Sequence, residues 1–275
     1  MTNNPEGKAS AVTPDDQLIK IDDHGAFAVL TINRPEKRNA LSRETVRRLR
    51  IALEDLVGKQ AVILTGTGKS FCAGMDLNPN EWGSGPKTEK GSELSRWEHP
   101  WTEVHREIRQ HPAIFIAAVN GYALGGGSTL IHSCDLAIAA ESAQIGAPEM
   151  GFGGFASHAA PSAAKRLLPK HAAEIIFLAR RVSGHDAYRM GLVNRVLPDD
   201  EVMPSALEWA EQLSNFNPVA LDWGKRTLRG MENLTWDDSM EFTKLNNTIA
   251  ASFGKGTTEG ATAFVNGHRG VGQGA

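Results

Sequence analysis

One stretch constrains this chain more than any other: Ala113 to Ala140, AIFIAAVNGYALGGGSTLIHSCDLAIAA. Ile114 to Val119 is a short apolar run rich in branched residues that ends at Asn120-Gly121, which predicts a buried strand running into a turn. The strand delivers the backbone to Gly125-Gly126-Gly127, where the missing Cβ atoms open torsions closed to other residues and let another molecule approach the main chain. Ser128 to Ser133 reads as a short helix, so the free amides of its first turn and the positive end of its dipole face whatever sits over the glycines. That geometry suits an anion, or an oxygen that becomes one. Three glycines serve equally where a helix packs tightly on a strand, and the stretch alone leaves both readings open.

A chain of 275 residues has room for one large domain or one and a half, at about 150 residues per domain. Hydrophobic residues at 41% and charged residues at 22% describe a soluble globular chain. A net charge of -3 supplies no basic field for nucleic acid or for an anionic membrane surface. Cys72 and Cys134 are the only cysteines, so no disulfide framework is implied and the cytoplasm is the default compartment. The opening MTNNPEGKASAVTPDDQ lacks the apolar core of a signal peptide, and residues 1–17 are expected to form a disordered tail. No apolar run approaches the roughly 20 residues of a membrane span.

Leu18 to Asp22 and Ala26 to Asn33 are predicted strands joined by a turn at Asp23-His24-Gly25. The charged loop Arg34 to Asn39 leads to Ser42, a good helix N-cap; Val46, Leu49, Leu53, Leu56 and Val57 then follow at helical spacing, with Gly58 as the stop. Ala61 to Thr65 is a second buried strand that also runs into glycines, Gly66, Gly68 and Gly74. Strand, glycine turn and helix thus recur at Ala61 and Ala113, which argues for a layered α/β core over residues 18–200. Asn78 to Ser95 is polar and reads as a mobile insertion. Trp101, Val104, His105 and Ile108 mark an amphipathic helix ending at His111-Pro112; His99, His105 and His111 are six apart and share no helical face, so no metal site is expected. Helices are predicted over Pro161 to Leu168 and His171 to Arg180, and a late strand over Leu192 to Leu197. From residue 201 to 275 the pattern is helical: Val202 to Ser214, Val219 to Arg229, Trp236 to Ser252 and Glu259 to His268.

LTINRPEKRNAL (Leu30 to Leu41), VILTGTGKSFCAGMDL (Val62 to Leu77) and IAAVNGYALGGG (Ile116 to Gly127) resemble the crotonase, or enoyl-CoA hydratase/isomerase, superfamily. CDLAIAAESAQIGAPEMGFG (Cys134 to Gly153), GLVNRVLP (Gly191 to Pro198) and EGATAF (Glu259 to Phe264) extend the likeness to nearly all of the chain past Gln17. The resemblance implies a crotonase-like spiral of ββα repeats, a helical C-terminal trimerisation lobe that makes a homotrimer or a dimer of trimers, and an acyl-CoA thioester as substrate. It implies no separate cofactor, since CoA arrives as part of the substrate. It also implies that the amides of Met75 and Gly126 meet at the thioester oxygen, where two fixed donors stabilise an enolate or tetrahedral oxyanion.

The acid/base positions depart from the family pattern. Hydratases of this kind commonly carry two glutamates, one three residues beyond the middle glycine and one in a Pro-Glu motif; here the first position is Thr129 and the second is Glu149. A single carboxylate fits double-bond isomerases and hydroxycinnamoyl-CoA hydratase-lyases. The latter share GMDL, the small hydroxyl at 129, and NPVALDWGK with LTWDD, but the tyrosines that hold their phenolic ring have no counterpart here. Glu149 is therefore the expected general acid/base. Where relatives have Pro-Gly-x-Gly-Gly this chain has Ala156-Ser157-His158-Ala159-Ala160, and three roles stay open for His158: replacement acid, activator of water for thioester or carbon-carbon hydrolysis, or helix cap. Ser128 and Thr129 with His158 suggest a hydrolase only loosely, as no Gly-x-Ser-x-Gly elbow is present. For CoA the resemblance points to Lys37, Arg38, Ala40, Cys72, Ala73 and Asp76, with Arg269 standing where the family's C-terminal lysine and arginine lie. The same pattern also suits a non-catalytic acyl-CoA binder.

Overall fold

The computed structural model describes residues 13–78 and 100–252. The expected helix at Glu259 to His268, Arg269, His99 and nearly all of the Asn78–Ser95 insertion lie outside them. Strand β1 (Ile19–Asp23) pairs antiparallel with β2 (Phe27–Ile32). From β2 the sheet continues in parallel through β3 (Ala61–Gly66), β5 (Ile114–Val119), β7 (Leu136–Ala140) and β10 (Arg195–Leu197). A second sheet has the order β4 (Ser70–Cys72), β6 (Tyr122–Leu124), β8 (Gln144–Gly146) and β9 (Arg181–Ser183), parallel except for the last pair. Each repeat therefore lays one long strand in the first sheet and, after a tight turn, one short strand in the second. Asn120 ties successive turns together, its amide donating to Gly66 O and Gly68 O at 2.7 Å each. This is the α/β, ββα repeat that the sequence led us to expect.

β3 is buried at every position and β5 at all but its first, as continuous apolar runs in parallel strands require when both faces are covered. Helix α1 (Arg43–Asp55) starts at Ser42, whose hydroxyl accepts from Thr45 N, and it buries Val46, Leu49, Ala52 and Leu53. At about 1.5–3 kcal/mol for each large apolar side chain, that stripe outweighs anything its exposed face contributes. It packs beside α2 (Pro100–Gln110). Helix α3 (Gly126–Ser133) is buried along its whole length although it opens on two glycines, each costing about 1 kcal/mol against alanine in a helix. The reason is proximity: a Cβ on Gly127 would lie 2.0 Å from Cys72 O.

Further on, α4 (Ala159–Arg166) and α5 (Pro169–Phe177) begin two residues before the predicted helices, with Pro161 still in a first turn. A short α6 (Gly184–Arg189) lies in a span for which no helix was expected. Thr13 bonds to Glu36, with hydroxyl to carboxylate at 3.0 Å, and Asp15–Gln17 forms a single 3-10 turn; residues 13–17 are thus attached to the core rather than forming part of a tail. Helix α7 (Val202–Ser214) covers β2, β3, β5 and β7, so the helical segment that leaves the core begins with α8 (Pro218–Gly230) and α9 (Trp236–Ser252), which pack on each other. Lys225 anchors α8: its buried ammonium donates to Ile108 O and Ala113 O and pairs with Asp135 at 2.9 Å. Burial pushes its pKa down and Asp135 pulls it back up. Among the described residues no helix is long and apolar enough to cross a membrane.

Candidate active site

The two glycine turns meet. Gly74 has φ +93°, and a Cβ on it would lie 2.6 Å from Leu124 O and 3.3 Å from Gly126 N; only glycine allows this turn at this separation. Leu41 forms a parallel bridge with Met75 through Leu41 N–H to Gly74 O at 2.8 Å and Asp76 N–H to Leu41 O at 3.0 Å. Alternation along that ribbon turns the Met75 N–H away from Leu41. Gly126 is the first residue of α3, so its N–H has no acceptor within the helix. Leu41 Cδ1 and Trp101 Cζ2 wall the glycine, each 3.3 Å from where a Gly126 Cβ would sit. Both amides named from the sequence thus belong to adjoining turns.

Glu149 reaches the same place through strand register. β6 pairs with β8 so that Leu124 lies opposite Gly146, and Gly125 N–H then donates to Gly146 O at 2.8 Å. Three residues beyond Gly146, within the 3-10 turn Pro148–Phe152, Glu149 turns its carboxylate back onto the glycines. Its Oε1 would lie 2.8 Å from a Cβ on Gly125. Its Oε2 is buried and has no hydrogen-bond partner among the described residues. Burial raises its pKa above 4.5, against a smaller lowering by its own backbone N–H. A carboxyl group with no cation paired to it among the described residues, and short of hydrogen bonds, holds a proton more readily than an exposed glutamate does.

Thr129 is engaged elsewhere. Its hydroxyl donates to Gly126 O at 2.7 Å and lies 3.2 Å from His105 Nε2, while His105 Nδ1 lies 2.7 Å from Ser133 Oγ. Burial, with His158, His132 and Arg109 adding positive charge, drives the His105 pKa down to about 3, so the ring is neutral. His132 falls to about 4 by burial alone. Neutral histidines and a threonine cannot replace a missing carboxylate as a charge, but they satisfy the polar wall behind the glycines. His158 occupies the N-cap position of α4 without making a side-chain cap. Its Nε2 lies 3.1 Å from Thr102 Oγ1 and its Nδ1 3.2 Å from Ser157 Oγ, and its ring centroid is 6.3 Å from that of His105. It therefore lies on the α2 side of the site, and among the described residues its hydrogen bonds run to Thr102 and Ser157.

The residues expected to hold CoA come together on one ribbon. Ala73 N–H donates to Arg38 O at 3.0 Å, laying Lys37, Arg38 and Ala40 alongside Cys72 to Asp76. Lys37 and Arg38 are exposed, free to meet an anionic group in solvent. Asp76 is not: Arg34 Nη1 grips it at 2.6 Å and also donates to Ala40 O. Burial raises the Asp76 pKa, but bonds from Asn78 N–H and Arg34, with the charges of Arg34 and Lys37, outweigh it and hold the carboxyl ionised. Asp76 therefore clamps the loop through Arg34. Cys72 is fully buried, its thiol pushed up to about 12 by burial, and only its backbone borders the site. Asn39 is the second clamp: buried at φ +59°, it accepts from Arg34 N–H and donates to Thr67 O and Ser70 O. Replacing it with alanine strands three backbone groups, the buried Ser70 O and the partly buried Arg34 N–H and Thr67 O, at about 1–3 kcal/mol for a fully buried group left without a partner and less for the others. Asn39→Ala is expected to lower the thermal midpoint and raise KM for any CoA-bearing ligand, with kcat less affected; equal KM values in a calorimetrically destabilised variant would detach this loop from binding.

Three comparisons with known proteins agree. The family model described as Enoyl-CoA hydratase/isomerase matches residues 22–269. The chain is 35% identical over 220 residues to a short-chain-enoyl-CoA hydratase of Clostridium acetobutylicum, covering 78% of this chain and 82% of that one. It is 37% identical over 194 residues to a mevalonyl-coenzyme A hydratase of Aspergillus fumigatus, covering 69% and 70%. Among solved structures, an enoyl-CoA hydratase of Mycobacterium smegmatis superposes with a TM-score of 0.84 at 28% identity, over 94% of this chain and 99% of that one.

Proposed function

This chain belongs to the enoyl-CoA hydratase/isomerase family, and from that premise we propose that it catalyses proton transfer at the α-carbon of an acyl-CoA thioester with one carboxylate. The thioester oxygen sits between Met75 N–H and Gly126 N–H, which stabilise the enolate; Glu149 carries the proton. The observation that carries this reading is the contact of the Gly74 turn with Gly126 N, with Glu149 Oε1 against the neighbouring Gly125. Polarising the carbonyl acidifies the α-carbon, and a base held at the same turn needs no further travel to take its proton. With Thr129 bonded to Gly126 O and His105, a single acid/base handles both proton movements. That favours the hydratase/lyase or isomerase type, in which the group that removes a proton returns it. Lys37 and Arg38 serve the CoA phosphates.

The test is a panel of 2-enoyl-, 3-enoyl- and 3-hydroxyacyl-CoAs followed by absorbance and free thiol. Loss of the enoyl band marks hydration, its appearance from a 3-enoyl substrate marks isomerisation, and cleavage to a smaller acyl-CoA marks lyase activity. Thiol release alone would replace the proposal with the hydrolysis that His158 suggested, and binding without turnover would replace it with a carrier role.

A homotrimer, or a dimer of trimers, completes the reading. The α8–α9 hairpin leaves Leu228, Met240, Leu245 and Trp236 exposed, the last at 81%. Between the two helices runs a groove of about 570 Å³ lined by Val219, Ala220, Trp223, Leu228, Ala250 and Ala251 among others. Apolar surface of this kind marks an interface. Sedimentation velocity is expected to show three or six chains per particle, and a monomer at micromolar concentration refutes it.

A further inference from the structure

We propose that Ser128 is a positioning residue for the Gly126 amide: its hydroxyl holds and polarises, from behind, the peptide unit that presents this N–H to the thioester oxygen. The inference rests on the site reading above and deepens it.

A peptide is one conjugated unit, so a donor on its carbonyl oxygen draws electron density toward that oxygen and leaves the N–H at the other end more positive. Linked hydrogen bonds strengthen one another in this way by about 10–30% per bond. The peptide that ends in Gly126 N–H has Gly125 O as its acceptor, and that oxygen receives Ser128 Oγ at 2.9 Å and Thr129 N at 3.2 Å. The peptide that ends in Met75 N–H has Gly74 O, which receives Leu41 N at 2.8 Å. Both amides are backed by a donor on their own carbonyl. The two backing donors from Leu41 and Thr129 are main chain and survive any ordinary side-chain change. Among the described residues only Ser128 supplies a backing donor from its side chain.

The need for a second anchor lies in the backbone. Gly125 sits at φ +53°, ψ −115°, outside both helix and strand, so among the described residues the main chain holds the carbonyl of the Gly125–Gly126 peptide through one bond alone, the 3.2 Å bond from Thr129 N that opens α3. Two donors converging on one oxygen define its plane where one allows it to swing. Ser128 is 2% exposed, so its hydroxyl bond is not exchanged with solvent, and in that dry setting its effect on the amide is undiluted.

The experiment uses a 2,4-dienoyl-CoA, whose absorption moves to longer wavelength when its carbonyl is hydrogen-bonded, read by rapid mixing before turnover. Wild-type protein is expected to shift the band. Ser128→Ala is expected to shift it less and to lower kcat about five- to tenfold at unchanged KM, the weight of one hydrogen bond. Ser128→Cys keeps a weak donor and is expected to fall between; it decides the matter alone if the alanine variant does not fold. A lower thermal midpoint with band and kcat unmoved would mean that Ser128 only caps the helix, which overturns the inference and leaves the site reading intact. Neither shift nor turnover in the wild type overturns the site reading and the inference together.

Discussion

Glu149→Gln is expected to cut kcat on the acyl-CoA substrate by about 10²- to 10⁴-fold, the usual share of a positioned acid/base, while substrate still binds. Glutamine keeps the shape and loses only the titrating proton, so a turnover number near wild type would remove Glu149 from the chemistry. The same variant carries a stability signature. Because burial raises the Glu149 pKa above 4.5, the folded chain holds this proton more tightly than the unfolded chain. The stabilisation this confers is complete below the unfolded value and is lost as pH rises through the folded one. At neutral pH wild type bears the cost of a half-buried anion and Glu149→Gln does not. The variant should therefore melt higher than wild type at pH 7, with the gap closing toward pH 4. In the wild type, kcat/KM for a step that begins with proton removal should rise with pH through that same raised value.

Gly126→Pro is expected to lower kcat by about 10²- to 10³-fold, since losing one oxyanion donor costs about 2.7–4 kcal/mol of barrier. The substitution removes one hydrogen-bond donor and falls on the first residue of α3, where proline is best tolerated in a helix. Crowding is the competing explanation, because any Cβ here meets Leu41 and Trp101 at 3.3 Å. Gly126→Ala separates the two. It brings the same Cβ and keeps the N–H, so it should retain most of the activity that proline removes. If alanine and proline fall equally in folded protein, as judged by circular dichroism, packing and not the amide explains the loss.

These expectations draw unequally on sequence and coordinates. The long strands β3 and β5 and the helix α1 were legible because the apolar runs Ala61 to Leu64 and Ile114 to Val119, and a stripe from Val46 to Leu53, stand out in the sequence by themselves. The short strands β4, β6, β8 and β9 were not, each being three residues long. Three residues show no alternation, and these become strands only by pairing with one another. Glu149, Met75 and Gly126 were named through the resemblance to the family's motifs, yet their meeting depends on that unseen second sheet. His105 escaped as a functional neighbour for a different reason. It is a polar residue four positions after Trp101 on a buried stripe, a signal of something it must bond to, but sequence cannot say that the partner is Thr129. The Arg34 ion pair with Asp76 was likewise out of reach, because nothing in a linear order shows Arg34 closing on it.

The parallel offset between β6 and β8 has a consequence for anyone redesigning this protein. Leu124 opposite Gly146 means that the reach from carboxylate to glycine is counted in residues along two neighbouring strands. One residue inserted between Ile145 and Pro148 would swing the acid to the far side of its ladder with every side chain still present. Grafting this chemistry onto another scaffold therefore means copying a stagger between main chains first, and the choice of amino acids second.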